Sequence, residues 1–326
     1  MSTEIRNEHR PPHEVRPASR QDFLPLLRLR EQWVERFASD HPPQERWCPA
    51  TYPVWDVPDE RTLLPHLAGS DGRGAAVATA SGDVCALLLF WREKDNSQLA
   101  VANQNPLFLP HETSAAAGGM LVDFALAEAR RQSLTSVRMG FHGFVDQIDP
   151  TRALYLARGF SGELLFEMVT ASLRIDPGPT ALEFRSAEAF GLEAYYQLEQ
   201  ACGYCRSADA ARANCEFSKK MWAQADPARD WLVGCLDGRA VGIIRVAVTQ
   251  QGLGVVDAIA VVPEHRGRKI GLAMLAHGLS VLAGRTHLAY LNVHHDNPAA
   301  IRLYQLAGFR THHVHGELVK GVAHVG

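Results

Sequence analysis

The sequence has no long apolar segment, which argues against a conventional membrane-spanning helix. Its longest apolar run extends only from Val84 to Trp91, whereas a helix needs about 20 apolar residues to cross a bilayer. The opening stretch, MSTEIRNEHRPPHEV, also lacks the apolar centre of a secretory signal peptide. We therefore expect a cytoplasmic protein without a membrane partner.

Net charge and cysteine are also scarce. The formal net charge of −3 over 326 residues does not suit a general nucleic-acid or membrane-surface binder, so any anion site must be local.

The six cysteines lack a secretory context and are expected to be free thiols. Cys202 and Cys205 form a C-x-x-C pair that no second pair completes, and His312, His313 and His315 alternate along an expected strand. Neither pattern predicts a metal site.

What the sequence does contain is an internal repeat. LYLARGF (Leu154–Phe160) and LYQLAGF (Leu303–Phe309) each place a tyrosine four residues before Gly-Phe, with the two tyrosines 149 residues apart. TASGDVCALLL and CLDGRAVGIIR repeat in the same way, and each predicts a β-hairpin with a glycine turn. A period of this size predicts a duplicated domain rather than a solenoid. With the Pro- and Gly-containing stretch Arg174–Glu183 as the linker, we expect domains at residues 1–176 and 177–326.

Each repeat predicts the same order of elements: strand, helices, hairpin, long strand, helix, strand, helix and strand. In the second repeat, GVVDAIAVV and LAYLNV are apolar strands, and the helix between them places Leu272, Leu275, Leu279 and Leu282 on one stripe. This order predicts a mixed sheet covered by helices. The expected fold class is therefore α/β, with a mixed α+β type of sheet in two tandem domains.

The loop PEHRGRKIG, Pro263–Gly271, combines glycine and positive charge at the start of that helix. A helix N-terminus has unpaired N–H groups and the positive end of the helix dipole, which together suit a phosphate. The glycines allow close approach of the backbone, and the arginines and the lysine supply charge. Their spacing fits neither a Walker loop nor a dinucleotide fingerprint. The loop therefore predicts a site for another phosphate-containing ligand.

The same loop resembles the acetyl-coenzyme A signature of the GNAT superfamily of N-acetyltransferases. In that signature Arg/Gln-x-x-Gly-x-Gly/Ala surrounds the pyrophosphate, and VVPEHRGRKIGLAML follows it except that Lys269 stands at the usual first glycine. VHHDNPAAIRLYQLAGF resembles the second signature, an Asn followed by a helix that carries Tyr and ends in Gly-Phe. The resemblance covers the chain from Leu182 onward well and the first half more loosely. It implies two tandem GNAT-fold domains, with acetyl-CoA as the co-substrate.

The resemblance also implies which residues carry the chemistry. The N–H of Val261 would polarise the thioester carbonyl, and Tyr304, protonated at neutral pH, would be the acid for the departing thiolate. Relatives often have a glutamate where this chain has Val255, so Asp257, two residues on and on the same face by strand alternation, is the candidate base, directly or through water. The alternatives are that Asp257 only binds the substrate's ammonium and that Tyr304 only packs in the core. Asn297 is expected to cap the last helix or to contact the cofactor. The expected cofactor-binding residues are Ile259, Ala260, Val261, Arg266, Gly267, Arg268, Lys269, Ile270, Gly271, Leu272 and Asn297.

The first half lacks the charged loop. Aligning PHETSAAAGGML with PEHRGRKIGLAM places Thr113–Ala116 opposite Arg266–Lys269, so every charge of the loop is missing there. Because charge-assisted contacts contribute most to phosphate binding, this loss predicts little cofactor affinity. We therefore expect a degenerate N-terminal domain, in which Tyr155 packs, and a catalytic C-terminal domain.

Together these features predict an N-acetyltransferase that moves the acetyl group of acetyl-CoA to a primary amine of a small molecule, such as an antibiotic, an amino sugar or an amino acid. One alternative is acetylation of a cysteinyl amine, as by the mycothiol synthases, whose two-half layout is similar. The other is a non-catalytic acyl-CoA-binding or sensor protein. No nucleic-acid partner is expected, and the protein is expected to be a monomer or a homodimer.

Overall fold

The computed structural model describes residues 13–40, 59–93, 97–102, 107–108, 115–222 and 225–322. These residues form two compact units. The first comprises the described residues up to Leu164 together with those from Val314 onward, and the second comprises Leu165–His313. In the described part of the chain, no helix is both long enough and apolar enough to cross a membrane.

The elements of the second half follow the order that the sequence predicts, whereas in the described part of the first half two short strands, β4 and β5, stand where one long strand is expected. The strands are β1 (Glu14–Pro17), β2 (Arg73–Ala80), β3 (Asp83–Arg92), β4 (Gln98–Val101), β5 (Leu107–Phe108), β6 (Ser136–Phe144), β7 (Leu164–Thr170), β8 (Glu183–Ser186), β9 (Trp231–Leu236), β10 (Arg239–Val248), β11 (Gly254–Val261), β12 (Ala289–His294) and β13 (Arg310–Gly321). The helices are α1 (Phe23–Asp40), α2 (Glu60–Leu67), α3 (Ala115–Arg131), α4 (Val145–Leu156), α5 (Ala187–Phe190), α6 (Leu192–Ala201), α7 (Ala208–Met221), α8 (Ile270–Leu282) and α9 (Pro298–Leu306).

The strand pairing in each unit is mixed. In the first unit the order is β1-β2-β3-β4-β6, followed by β13, and β4 and β6 are parallel. In the second unit the order is β7-β12-β11-β10-β9-β8, and β11 and β12 are parallel. The hairpins β2–β3 and β9–β10 are antiparallel. The predicted mixed α/β fold is confirmed.

Each unit contains a strand from the other sequence repeat. β7 closes the first repeat, yet it pairs with β12 of the second unit in antiparallel register, from Ala289↔Thr170 to His294↔Leu165. The end of β13 belongs to the first unit, where Val319 forms a bridge with Ser161. The compact units thus divide the chain at Leu165 and Val314, and the repeat boundary at residues 176 and 177 stays a prediction.

Both predicted hairpins turn on two residues with positive φ. These are Ser81 and Gly82 between β2 and β3, at φ 53° and 90°, and Asp237 and Gly238 between β9 and β10, at φ 51° and 75°. Two consecutive positive φ angles match the right-handed twist of the flanking strands. The Ser-Gly and Asp-Gly pairs therefore set both turns, as the sequence predicts.

Helix α8 packs its leucine stripe onto the sheet of the second unit. Leu275, Leu279 and Leu282 are fully buried, and burial of a leucine contributes about 1.5–3 kcal/mol. Gly278 brings the helix close to β10, because a Cβ there would lie 2.5 Å from Cδ1 of Ile244. This packing fixes the N-terminal end of α8 beside the C-terminal end of β11.

Candidate active site

An opening separates β11 from β12 at the C-terminal end of β11. The two strands pair only at Gly254↔Ala289 and Val255↔Tyr290, although β11 continues to Val261. Beyond Val255, β11 keeps its antiparallel partner β10 and has no described partner on the β12 side. The N–H groups on that side are therefore available to a ligand, whereas the carbonyl of Val261 accepts a hydrogen bond from Arg266.

The antiparallel ladder shows which of those groups face the opening. Val262 donates its N–H to the carbonyl of Val241 at 3.0 Å, and such hydrogen-bonded pairs alternate with pairs whose N–H and C=O point away from the partner strand. Val261 and Ile259 occupy the second kind of position, whereas Ala260 directs its backbone to β10. Of the three predicted cofactor residues on this strand, two thus present backbone groups to the opening.

The loop after β11 leads into a helix start with open donors. Pro263–His265 form a short 3-10 turn, and α8 begins at Ile270. Among the described residues, the backbone N–H groups from Gly267 to Leu272 make no hydrogen bond to the loop or to a side-chain cap. Together with the positive end of the helix dipole, this row of donors has the chemistry that suits a phosphate or pyrophosphate.

Backbone conformation explains why glycine is usual at the position of Lys269. Lys269 is the residue that precedes α8, and it has φ 61° and ψ 6°. This left-handed conformation costs a non-glycine residue about 1–2 kcal/mol, and Gly267, at φ 74°, avoids that cost. Gly271 serves a different purpose, because a Cβ there would meet Leu303 of α9 at 3.3 Å.

The two loop arginines have different surroundings. Arg266 donates from Nε to the carbonyl of Val261 at 3.0 Å and from Nη2 to the carbonyl of Cys202 at 2.7 Å. It therefore holds the loop against β11 and the end of α6. Arg268 is exposed, and its Nη1 lies 3.1 Å from Nδ1 of His265. Arg268 and Lys269, which is also exposed, are the charges of this loop that remain most accessible to an anion.

Tyr304 lies on α9 with most of its ring buried. Only 7% of the residue is exposed, and the ring packs on Phe309 at 5.9 Å between centroids. Burial raises the pKa of Tyr304 to about 12, with a smaller contribution from Tyr204. The phenol is therefore protonated at neutral pH and is able to donate a proton or a hydrogen bond.

Asp257 stands at a bulge in β11. Arg245 of β10 is opposite Ala258, and Val246 is opposite Val256, so Asp257 is the extra residue. Regular alternation, on which the expectation of a shared face with Val255 relied, does not continue across a bulge. The bulge therefore determines where this carboxylate points.

Three donors hold the Asp257 carboxylate. Ser218 Oγ at 2.7 Å and Arg245 Nε at 2.9 Å donate to Oδ2, and Trp222 Nε1 donates to Oδ1 at 2.8 Å. The side chain is 18% exposed. A carboxylate has about four acceptor positions, so Oδ1 retains one for a substrate amine or a water.

Beneath Asp257 lies a buried ionic cluster that sequence reasoning missed. Arg245 and Glu199, whose side chains are 1% and 0% exposed, form an ion pair through Nη1 and Oε1. Cys215 Sγ lies 2.9 Å from the same Arg245 nitrogen. Burial raises the pKa of Glu199, and the opposing effect of Arg245 is smaller. The available signal was an arginine in the middle of the apolar run GIIRVAV, which requires a buried partner.

Asn297 caps the last helix. Its side-chain oxygen accepts the N–H of Ala300 at 3.1 Å, and Pro298 takes the first helical position. The predicted cap is therefore confirmed, and contact with a cofactor stays a prediction.

The corresponding region of the first unit differs. Thr113 and Ser114 lie outside the described residues. Arg158 packs on α3, where a Cβ on Gly119 would lie 2.3 Å from its Nη2, and it pairs with Asp123 at 2.8 Å. Tyr155 is fully buried against Phe160, and burial raises its pKa well above the ordinary value. This tyrosine packs in the core, as the sequence predicts.

Comparison with known proteins identifies the class of the second unit. Residues 192–309 match the model of the Acetyltransferase (GNAT) family, and this segment contains the opening, the loop and Tyr304. This segment of the second unit therefore matches the GNAT acetyltransferase family, and the tandem arrangement with a second GNAT-fold domain stays a prediction.

Particular relatives were also found. The chain is 40% identical over 82 residues to the mycothiol acetyltransferase of Tsukamurella paurometabola, a match that covers 24% of this chain and only 28% of that protein. A GCN5-related N-acetyltransferase from Sphaerobacter thermophilus is 19% identical with a TM-score of 0.46, covering 96% of this chain and 97% of that one. A tandem GNAT protein from the clavulanic acid biosynthesis pathway is 15% identical with a TM-score of 0.44, covering 97% of this chain and 100% of that one.

Proposed function

We propose that the second unit transfers the acetyl group of acetyl-CoA to a primary amine of a small molecule. The observation that carries this proposal is the row of backbone N–H groups from Gly267 to Leu272 beside the open edge of β11. The row suits the pyrophosphate of coenzyme A, and the backbone groups of Ile259 and the N–H of Val261 suit its amide-containing arm. Asn297, at the start of α9, is proposed as a further contact.

Acetyl-CoA supplies an activated acetyl group as a thioester. The N–H of Val261 would donate to the carbonyl oxygen as negative charge develops there. As the C–N bond forms and the C–S bond breaks, Tyr304 would give its proton to the sulfur. Its raised pKa keeps it protonated until that moment.

Asp257 would receive the acceptor's amine. The open position on Oδ1 is able to hold an ammonium or a water that removes its proton, because Ser218, Trp222 and Arg245 fix the carboxylate. Arg245 and Glu199 are then positioning residues that act through Asp257. The N-terminal half, residues 1–176, is proposed to be degenerate for cofactor binding.

The test is acetyl-CoA-dependent thiol release with a panel of amino sugars, aminoglycosides and amino acids. We expect turnover with at least one amine, and product mass increased by one acetyl group. Tyr304→Phe should abolish most of that turnover while coenzyme A still binds. Binding of coenzyme A without turnover of any amine would instead favour an acyl-CoA sensor.

A cysteinyl amine is the second candidate acceptor. It is favoured by the 40% identity over 82 residues with a mycothiol acetyltransferase. The residue at the family's usual glutamate position is Val255, which is 3% exposed, so Asp257 would have to serve in its place. Including a cysteinyl glycoside in the panel separates the candidates, because kcat/KM for it should exceed that for every other amine if this is the acceptor.

A further inference from the structure

Three buried side chains that commonly ligate metals converge in the second unit, and none of them is assigned to acetyl transfer. They are Glu167 on β7 and the adjacent His312 and His313 on β13, which are 1%, 5% and 0% exposed. One donor atom from each lies within 4.8 Å of the other two. Two imidazoles and a carboxylate are a ligand set that zinc uses in proteins.

The arrangement of the two histidines is unusual for a strand. Consecutive strand residues normally point to opposite faces, and on that basis the sequence predicted no metal site. Instead, Nδ1 of His312 lies 2.8 Å from Nδ1 of His313, which lies 3.0 Å from Oε1 of Glu167. Tetrahedral ligands about 2.1 Å from zinc are about 3.4 Å apart, so small side-chain shifts would bring all three atoms to an ion.

The buried charge of Glu167 is a second reason to expect a cation at this cluster. A carboxylate as buried as Glu167 requires a positive partner. A proton shared with His313 would meet that requirement, and so would a divalent ion held by both imidazoles. The ion would contact all three donors directly, and the two strands supply rigid support for it.

We propose that Glu167, His312 and His313 bind a Zn²⁺ ion that holds the start of β13 to β7. The ion has no part in acetyl transfer, so this proposal is independent of the proposed function. A water or another group would complete the coordination, as three protein ligands leave a fourth position open.

The test begins with the full chain after removal of metal by a chelator. Titration with Zn²⁺ alone, followed by calorimetry, should show one ion bound per chain, and the same ion should raise the melting temperature. Zn²⁺ should also shift the imidazole ¹⁵N resonances of His312 and His313 in long-range NMR spectra. Absence of stoichiometric binding, or binding that leaves these resonances in place, would overturn the proposal.

Variants locate the site. Glu167→Gln and His313→Gln should each weaken Zn²⁺ affinity by at least about 100-fold, since loss of a ligand exceeds the 10–100-fold effect of losing an outer partner. His287→Gln, at an exposed histidine in the same unit, should leave the affinity unchanged. Undiminished binding by a folded Glu167→Gln protein would refute the assignment. If both ligand variants fail to fold, the wild-type stoichiometry and histidine spectra decide the question alone.

Discussion

Replacing Arg245 with methionine should destabilise the second unit in a strongly pH-dependent way. The substitution keeps much of the side-chain volume and leaves the fully buried carboxylate of Glu199 without its cation. Removal of one partner from a buried ion pair typically costs about 3–5 kcal/mol. The variant can avoid this buried charge if Glu199 becomes protonated. The free-energy cost of keeping Glu199 protonated then sets the size of the destabilisation.

Holding a glutamate protonated costs about 1.36 kcal/mol for each pH unit above its unfolded pKa of about 4.3. The destabilisation should therefore be at most about 4 kcal/mol near pH 7.5 and at most about 1 kcal/mol near pH 5, because the raised pKa of Glu199 already costs the native protein part of this free energy. The pKa of Glu199 is raised in the folded state. A group with a raised pKa contributes its full stability below the unfolded-state pKa, and that contribution is lost as the pH rises through the folded-state pKa. The destabilisation therefore increases with pH. The variant should raise this pKa further.

Hydrogen exchange of β10 peptides in increasing urea measures the stability of this unit by itself, after correction for the intrinsic exchange rate at each pH. Arg245→Met with Glu199→Gln should remove most of the pH dependence. Arg212→Met, which breaks a pair with Glu193 whose side chains are 50% and 61% exposed, should cost about 0.2–1 kcal/mol. An Arg245→Met penalty that is the same at both pH values would refute the assignment of a charged, buried pair.

Three further predictions concern catalysis and the loop. Tyr304→Phe should lower kcat by about 10²–10⁴-fold with coenzyme A affinity little changed, whereas Tyr155→Phe should leave kcat nearly intact. Equal effects of the two variants in steady-state assays would show that Tyr304 is not the acid. Lys269→Val should lower stability by about 1–2 kcal/mol more than Lys269→Gly does, because only glycine tolerates the left-handed backbone without strain, and equal melting temperatures would contradict this. Arg268→Glu should weaken coenzyme A binding about tenfold or more and reduce the salt dependence of that binding. Arg239→Glu makes the same charge change at an exposed position in the β9–β10 hairpin and should leave both unchanged. Calorimetry at two salt concentrations distinguishes the two outcomes.

Local signals made much of the fold predictable. The Asp-Gly turn, the leucine stripe of α8 and the Asn-Pro start of α9 each act over a few residues, and the repeat showed that the hairpin with its glycine turn occurs twice. The placement of β7 and of the end of β13 depends on pairing between distant segments, so neither could be read from local patterns. The sequence predicted strands at both places without showing which neighbours they take.

The site was predictable where it is built from backbone at a glycine-containing loop. The parts of the site in which side chains from distant elements meet were not predictable. Asp257 stands at a bulge that strand alternation does not reveal, and its partners come from two distant stretches of the chain: Ser218 and Trp222 at the end of α7, and Arg245 on β10. Arg266, expected only as a charge for the ligand, also donates to two backbone carbonyls, a use that its motif position does not indicate.

The most direct test of the account is an amide NMR titration of the full chain with coenzyme A. The N–H groups from Gly267 to Leu272 are open donors in this structure, and hydrogen bonds to a pyrophosphate should shift their resonances more than those of any other segment. The amides at the start of α3, from Ala116 to Gly119, should shift little. Shifts concentrated at α3, or a ligand that binds without moving the Gly267–Leu272 amides, would contradict the claim that this helix start is the cofactor site.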